Sequence, residues 1–366
     1  MTERPSIFLT GVTGSLGKDM VRELLQTGDE KLYLLIRRKG RHTHWDRARK
    51  ILAPMGLENL LGTRIEVLEG DVTLPQFGLA KEEVERLRQE ISVFYHIAAL
   101  TALNGTQEDC ERINLGGTLN ALGLAQDFHQ NGKLKRFVYF STAFVAGSLQ
   151  DYRALEDELP AKPAHANFYE SSKYASEARV RQAMAEGLPV TILRPSIVVG
   201  HSETGEVSEF NVIYPFIKLF AHGILRTLPT RLEHSFNIVP IDFVVKASVF
   251  ITRRPETIGK AFHLVSEEPP TIGMLLRLSE EEYPDIPQVQ VIDPDNFRKE
   301  NLPPEEQFVF MMLEPYLGYL NGHLSFDTAN TRRVLQGTAI ECPRTDSAFL
   351  KTLVEYAFEA GYLVSQ

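Results

Sequence analysis

Tyr169 and Lys173 stand four residues apart in Tyr169-Glu170-Ser171-Ser172-Lys173. On a helix that spacing puts a phenol and an ammonium on one face. A free phenol, with a pKa near about 10, is a poor acid–base group at neutral pH. An ammonium about 4 Å away contributes about 4 kcal/mol at an effective dielectric of about 20, before desolvation, so Lys173 is expected to lower the pKa of Tyr169. The same ammonium can hold the ribose of a nicotinamide. Tyr-x-x-x-Lys recurs by chance in unrelated chains, and its weight here comes from position, one strand–loop unit after Phe140-Ser141-Thr142. The Thr142 hydroxyl can donate to a carbonyl oxygen as negative charge develops there, and Ser141 competes for that role.

Near the start of the chain, Ile7–Thr10 feeds into Thr10-Gly11-Val12-Thr13-Gly14-Ser15-Leu16-Gly17. Glycines at 11, 14 and 17 let the chain turn tightly and let a pyrophosphate approach backbone N–H groups at a helix N-terminus. The turn follows a strand and opens a helix, the context that gives a glycine triplet meaning. Thr10, Gly11, Thr13, Gly14, Ser15 and Leu16 are therefore candidate cofactor contacts. The second strand ends at Arg37-Arg38. An acid there would accept from a ribose 2′-hydroxyl, whereas a guanidinium pairs with a 2′-phosphate. NADP(H) is expected over NAD(H).

These residues need a scaffold that carries them to one edge. Ile7–Thr10, Leu32–Ile36, Ile65–Leu68, Val93–Ile97, Phe137–Ser141 and Val190–Leu193 are short apolar runs that read as strands buried on both faces. Helical patterns lie between them at Leu16–Leu25, Glu82–Arg88, Gly116–Phe128 and Ser171–Glu186. The alternation predicts an α/β fold, a Rossmann-type doubly wound parallel sheet whose ligands bind at the carboxyl ends of its strands. After Gly200 the rhythm changes. Phe210–Leu225 reads as a helix, and Ile238–Ile251 and Phe262–Val265 as a return to the main sheet. Ile272–Leu278 reads as a helix, Val289–Ile292 as a strand, and the remainder as mixed helices. The expected domains are a cofactor-binding unit, 1–200 plus about 236–265, and a smaller, mostly helical substrate lobe, about 201–235 plus 266–366.

The composition is that of a globular chain: of 366 residues, 43% are hydrophobic and 24% charged. The net charge of −9 repels phosphate backbones, so no nucleic-acid partner is expected. Two cysteines, Cys110 and Cys342, are too few for a disulfide framework or a zinc cluster. His42-x-His44 has no third ligand nearby and reads as no metal site. No uninterrupted apolar run is long enough for a spanning helix, and Met1–Ser6 carries no export pattern, so no integral membrane segment and a cytoplasmic location are expected.

Several segments together resemble one branch of the extended short-chain dehydrogenase/reductases. They are Leu34–Arg37, Ser141–Gly147, Asn167–Glu177, Arg194–Gly200 and Asn237–Val244, while the glycine spacing of Thr10–Gly17 resembles the extended superfamily as a whole. The branch holds fatty acyl-CoA reductases, the terminal domains of carboxylic acid reductases and the thioester reductase domains of peptide synthetases, the male sterility-like NAD-binding family. The resemblance covers roughly residues 5–265. Beyond it only Phe326–Arg332 looks familiar. It implies that Thr142, chosen over Ser141 by counting back from Gly147, joins Tyr169 and Lys173 in catalysis. It implies that Asp71, followed by Val72, caps an adenine, that Ala98 and Ala99 pass beside the cofactor, and that Asn114 supports the active-site architecture. Pro195, Ser196 and Val198 would complete the cofactor site.

The chemistry implied is hydride transfer from NADPH to an acyl thioester, giving an aldehyde and, with a second hydride, the alcohol. The acyl donor, acyl-CoA or an acyl carrier protein, is expected to arrive from outside the chain. Lys133, Lys135 and Arg136, or Arg47, Arg49 and Lys50, offer basic patches for an acidic carrier. Two apolar stripes, Phe210–Phe220 and Phe308–Tyr316, are either core or the lining of a pocket for an apolar substrate. Reduction of aldehydes or ketones without thioester chemistry is the alternative activity. A nucleotide-sugar epimerase or dehydratase fits less well, because those enzymes usually prefer NAD.

Overall fold

The computed structural model describes residues 5–147, 152–161, 163–320 and 324–363. Five strands open the fold: β1 (Ser6–Thr10), β2 (Lys31–Ile36), β3 (Ile65–Glu69), β4 (Val93–His96) and β5 (Arg136–Phe140). A two-residue β6 (Arg153–Ala154) precedes β7 (Val190–Pro195), β8 (Ile197–Val199), β9 (Thr227–Pro229), β10 (Ile238–Pro240) and β11 (Lys260–Leu264). Seven of these make one parallel sheet in the order β11-β7-β5-β4-β1-β2-β3. The order reverses between β1 and β4, which opens a crevice at their carboxyl ends.

Side-chain alternation explains why this sheet is buried twice. Ile7 and Leu9 pack on one face with Met20, Val21 and Leu24 of α1 (Ser15–Thr27) and with Ile51 of α2 (His44–Leu52). Phe8 points the other way. It packs with Leu87 of α3 (Lys81–Glu90) and, beyond the short α4 (Gln107–Cys110), with Phe128 of α5 (Gly117–Asn131) and Val180 of α6 (Phe168–Ala185). A strand covered on both sides reads as a continuous apolar run, as these do.

A third cluster forms the second lobe. It is built on α7 (Ile213–Ala221), α9 (Ile272–Glu282), α10 (Pro304–Leu317) and α12 (Ser347–Glu359). Two small parallel pairs flank it, β8 with β10, and β9 with β12 (Gln290–Ile292). The segment Ile238–Ile251 departs from expectation. Only Ile238–Pro240 is strand, and it pairs with β8 rather than with the main sheet. Pro240 then leads into α8 (Ile241–Thr252), which packs Val244 and Val245 on the sheet. Proline lacks the N–H a further ladder would need but has the φ a helix start accepts. The stripe on α10 also divides. Phe310 is core, against Phe297, while Phe308, Met311 and Met312 are exposed.

A later segment returns from the lobe to the sheet, where Leu335 joins the first cluster and a buried carboxylate holds it. Glu156 accepts from the His263 N–H at 2.9 Å and from the Thr331 hydroxyl at 2.7 Å. That fixes α11 (Ala329–Leu335) and the nearby β13 (Ser325–Phe326) against β11, and gives the Phe326–Arg332 segment a structural reason.

Candidate active site

A cleft of about 500 Å³ runs along the carboxyl edge of the sheet. Its floor is the glycine turn. Gly11 has φ +76, and a Cβ there would lie 2.5 Å from the Ala98 nitrogen. A Cβ on Gly17 would lie 2.2 Å from the Gly11 oxygen, so α1 can start this close to β1 only without side chains. At Gly14, the N-cap of α1, a Cβ would meet nothing nearer than the Gly11 oxygen at 3.5 Å and would stand in the approach to the helix N-terminus.

Most residues singled out from the sequence line this cleft: Gly11, Thr13–Leu16, Arg37, Asp71, Val72, Ala98, Ala99, Thr142, Tyr169, Lys173, Pro195, Ser196 and Val198. Three do not. The Thr10 side chain turns inward, where its oxygen meets His96 Nδ1 at 2.9 Å and accepts from the Ile97 N–H, stapling β1 to β4. Arg38 is exposed and lies outside the lining. Asn114 is buried in a π-helical turn, Glu111–Gly116, and acts at one remove. Its amide accepts from the Leu100 N–H at 2.7 Å and donates to Ser172 Oγ at 2.9 Å, tying the loop after β4 to α6.

Arg37 is not alone at its end of the cleft. Lys39 and Arg47 line it too. Arg47 donates to the Arg37 carbonyl at 2.6 Å, and burial together with the Arg37 charge lowers its pKa. Two cations held together in this way suit a multiply charged anion. Arg47, singled out with Arg49 and Lys50 as a basic patch, thus lines the cleft. Arg136 leaves the other patch: it is buried, donating to Thr257 Oγ1 and the Arg254 carbonyl, both at 2.7 Å. Lys133 and Lys135 are exposed. The Arg47 position was signalled in sequence by Thr43-x-x-Asp46, a capping box that starts α2.

The cleft also tests the fit of a dinucleotide. The hydroxyls of Ser15 and Ser196 are buried and unpartnered among the described residues, and both line it. Buried hydroxyls seldom go without a partner, and these face the space a cofactor's polar groups would take.

The candidate catalytic set is positioned by the start of α6. Asn167 caps the helix, accepting from the Glu170 N–H at 2.9 Å, and Glu170 in turn accepts from the Ala166 N–H at 2.9 Å. This fixes the first turn, and with it Tyr169. Thr142 caps the turn after β5, and its hydroxyl lies close enough to the Tyr169 phenol to lower its pKa. The Ser141 hydroxyl is engaged elsewhere, donating to Glu177 at 2.6 Å.

The electrostatics differ from expectation. Lys173 donates to the Phe140 carbonyl at 2.6 Å and the Tyr139 hydroxyl at 2.9 Å. Burial drives its pKa down to about 7 against the opposing pull of Glu177. Burial pushes Tyr169 up to about 12, against the Thr142 hydrogen bond that lowers it. Desolvation of the phenolate outweighs the attraction expected from the lysine, whose ammonium is directed to β5. A phenol that stays protonated at neutral pH is a donor, which suits reduction of a carbonyl.

The family model described as Male sterility protein, an NAD-binding family, matches residues 9–248. The chain belongs to this family. It sits in the thioester reductase branch of the extended short-chain dehydrogenase/reductases. It is 30% identical over 273 residues to the nonribosomal peptide synthetase asaC of Aspergillus flavus, covering 70% of this chain and 26% of that protein. It is 28% identical over 275 residues to the fatty acyl-CoA reductase wat of Drosophila melanogaster, covering 66% and 52%. The chain thus spans about half or less of the length of these relatives. The terminal R domain of the myxalamid PKS-NRPS pathway superposes with a TM-score of 0.85 at 28% identity, covering 100% of this chain and 93% of that one. A nicotinamide cofactor follows from the family. Among the described residues no helix is long and apolar enough to cross a membrane, and no cluster could hold a metal ion.

Proposed function

We propose that the chain is an NADPH-dependent reductase of acyl thioesters. The observation that carries this reading is the proximity of the Thr142 and Tyr169 hydroxyls, which with Lys173 line one cleft that starts at the glycine turn. The glycine turn, Ser15, Ser196 and the Arg37–Arg47 pair would hold the dinucleotide, which when bound supplies the hydride. Thr142 and Tyr169 donate hydrogen bonds to the thioester oxygen and stabilise its developing charge. Tyr169 delivers a proton to that oxygen. The carbon–sulfur bond of the hemithioacetal then breaks, releasing a thiol and an aldehyde. Lys173 holds the ribose. The acyl donor is a CoA or carrier-protein thioester, in line with the synthetase and acyl-CoA reductase relatives.

The test is NADPH consumption with an acyl-CoA, the matching aldehyde and a ketone panel. Turnover of the thioester supports the reading, and turnover of aldehyde or ketone alone contradicts it. The choice of NADPH rests on Arg37 and Arg47. A charge-assisted hydrogen bond contributes about 1.5–3 kcal/mol. Arg37→Ala and Arg47→Ala should each raise the KM for NADPH by about 10- to 100-fold while leaving that for NADH within about twofold. Equal changes for both cofactors would sink the assignment of these arginines to the 2′-phosphate.

A further inference from the structure

The second lobe holds a partly open cavity of about 80 Å³. Phe216 and Phe220 of α7 and Tyr283 after α9 form part of its wall. Among the described residues no charged side chain lines it, and its polar lining groups are the Ser279 hydroxyl and tyrosines. The cavity adjoins the cleft, and Ile197, Val212 and Tyr319 line both. These three residues form a neck beside Tyr169, which itself packs against the apolar cluster of the lobe.

The neck is firmly held. The Tyr319 hydroxyl accepts from Asn167 Nδ2 at 3.2 Å and is hydrogen-bonded to Glu170, the two residues that bracket Tyr169. Its ring meets Phe144 edge-on at 4.7 Å, two residues beyond Thr142. Val212 has φ +51, a conformation a β-branched residue holds only where its surroundings impose it, at a cost of about 1–3 kcal/mol. The reacting carbonyl and the cavity are thus linked by residues that share anchors with the catalytic set.

We propose that the cavity receives the tail of the acyl group through this neck and selects an uncharged aliphatic chain. The inference rests on the acyl reductase reading. A charged or zwitterionic acyl group entering here would lose its hydration with no counter-charge in the wall. The size sets a limit. An apolar cavity of about 150 Å³ takes one benzene ring, so about 80 Å³ takes roughly three tail carbons beyond the neck. Short to medium straight chains should therefore be preferred.

The experiment uses the full chain and a series of straight-chain S-acyl pantetheine thioesters, with the matching aldehydes in parallel. Each added methylene should raise kcat/KM by about fourfold until the cavity fills, after which kcat/KM should fall. Phe220→Ala should move the optimum to longer chains, and Phe220→Leu should move it less. The readout is the ratio of long to short substrates, so a general loss of activity does not obscure it. A terminal carboxylate on the best chain should lower kcat/KM by about 100-fold. Calorimetric titration with n-alkanols supplies a readout without turnover, and affinity should rise with length to the same limit. Aldehydes that show the length optimum while no thioester is reduced would overturn the thioester reading and leave the tail site standing. Thioesters reduced at rates independent of length, in the native chain and in Phe220→Ala alike, would overturn the tail site and leave the reductase reading intact. Alkanol affinity that does not change with length would also overturn the tail site.

Discussion

Tyr169→Phe should lower kcat for carbonyl reduction by roughly 10²- to 10⁴-fold, the range contributed by a positioned acid. Its KM for NADPH should change by less than about threefold, because the ring, its packing and the helix cap at Asn167 are all retained. The Thr142 hydroxyl survives in the variant and should leave residual activity. The pH dependence separates the phenol from the lysine. Tyr169, at about 12, stays protonated across the neutral range, so it should produce no break there. Lys173 is charged only below about 7. If the charge supports the site, kcat/KM in the reductive direction is highest below that pH and falls as pH rises through it. Lys173→Met should remove the break. A flat profile in the native chain between pH 6 and 9 would show that the ammonium is not needed as a charge.

Glu177→Gln should cost about 3–5 kcal/mol of stability, through a network that touches no reacting atom. Glu177 is fully buried between Arg194, at 2.6 Å, and Arg181, at 2.7 Å, and accepts from Ser141 at 2.6 Å. Removing the carboxylate leaves the buried Arg194 guanidinium without its counter-charge. Arg194 and Arg181 outweigh burial and hold the Glu177 pKa down at about 2, below its ordinary value of 4.5. A depressed carboxylate stabilises the fold above its unfolded pKa and loses that contribution as pH falls through its folded one. Native stability should therefore drop between about pH 4.5 and 2, and the Gln variant should lack that component. Glu177 also raises the pKa of Lys173. As a positioning residue, it should shift the descending limb of the reductive pH profile to lower pH when replaced. A purely structural residue would lower stability and leave the limb in place. Urea melts at two pH values, with pH-rate profiles of the folded fraction, read both effects.

Backbone requirements were the most legible part of the sequence. Only residues without a side chain let Gly11 approach Ile97–Ala98 and Gly17 approach Gly11–Val12 this closely, so the glycine turn announced itself. Tyr169 and Lys173 were visible because helical spacing fixes which residues share a face. What each contributes electrically was not, since a pKa depends on burial and on partners brought from other elements. Lys173 meets β5, and no local pattern says so. Thr10 shows the same limit: a hydroxyl at a strand end can face a ligand or a neighbouring strand, and His96 decides which. The Thr43–Asp46 cap was readable and marks the start of the helix that carries Arg47, but not the Arg37 carbonyl it reaches. The Tyr319–Val212 neck was not, because it forms where the second lobe packs against the first, between segments more than a hundred residues apart.

The central claim concerns a thioester, and the ratio of thiol released to NADPH consumed tests it most directly. An acyl-CoA is incubated with the chain and NADPH, with free thiol and nicotinamide absorbance followed in the same cuvette. One thiol released per NADPH consumed is expected if reduction stops at the aldehyde, and one per two if it proceeds to the alcohol. Oxidation of NADPH by aldehydes, with no thiol released from any acyl thioester, would contradict the claim.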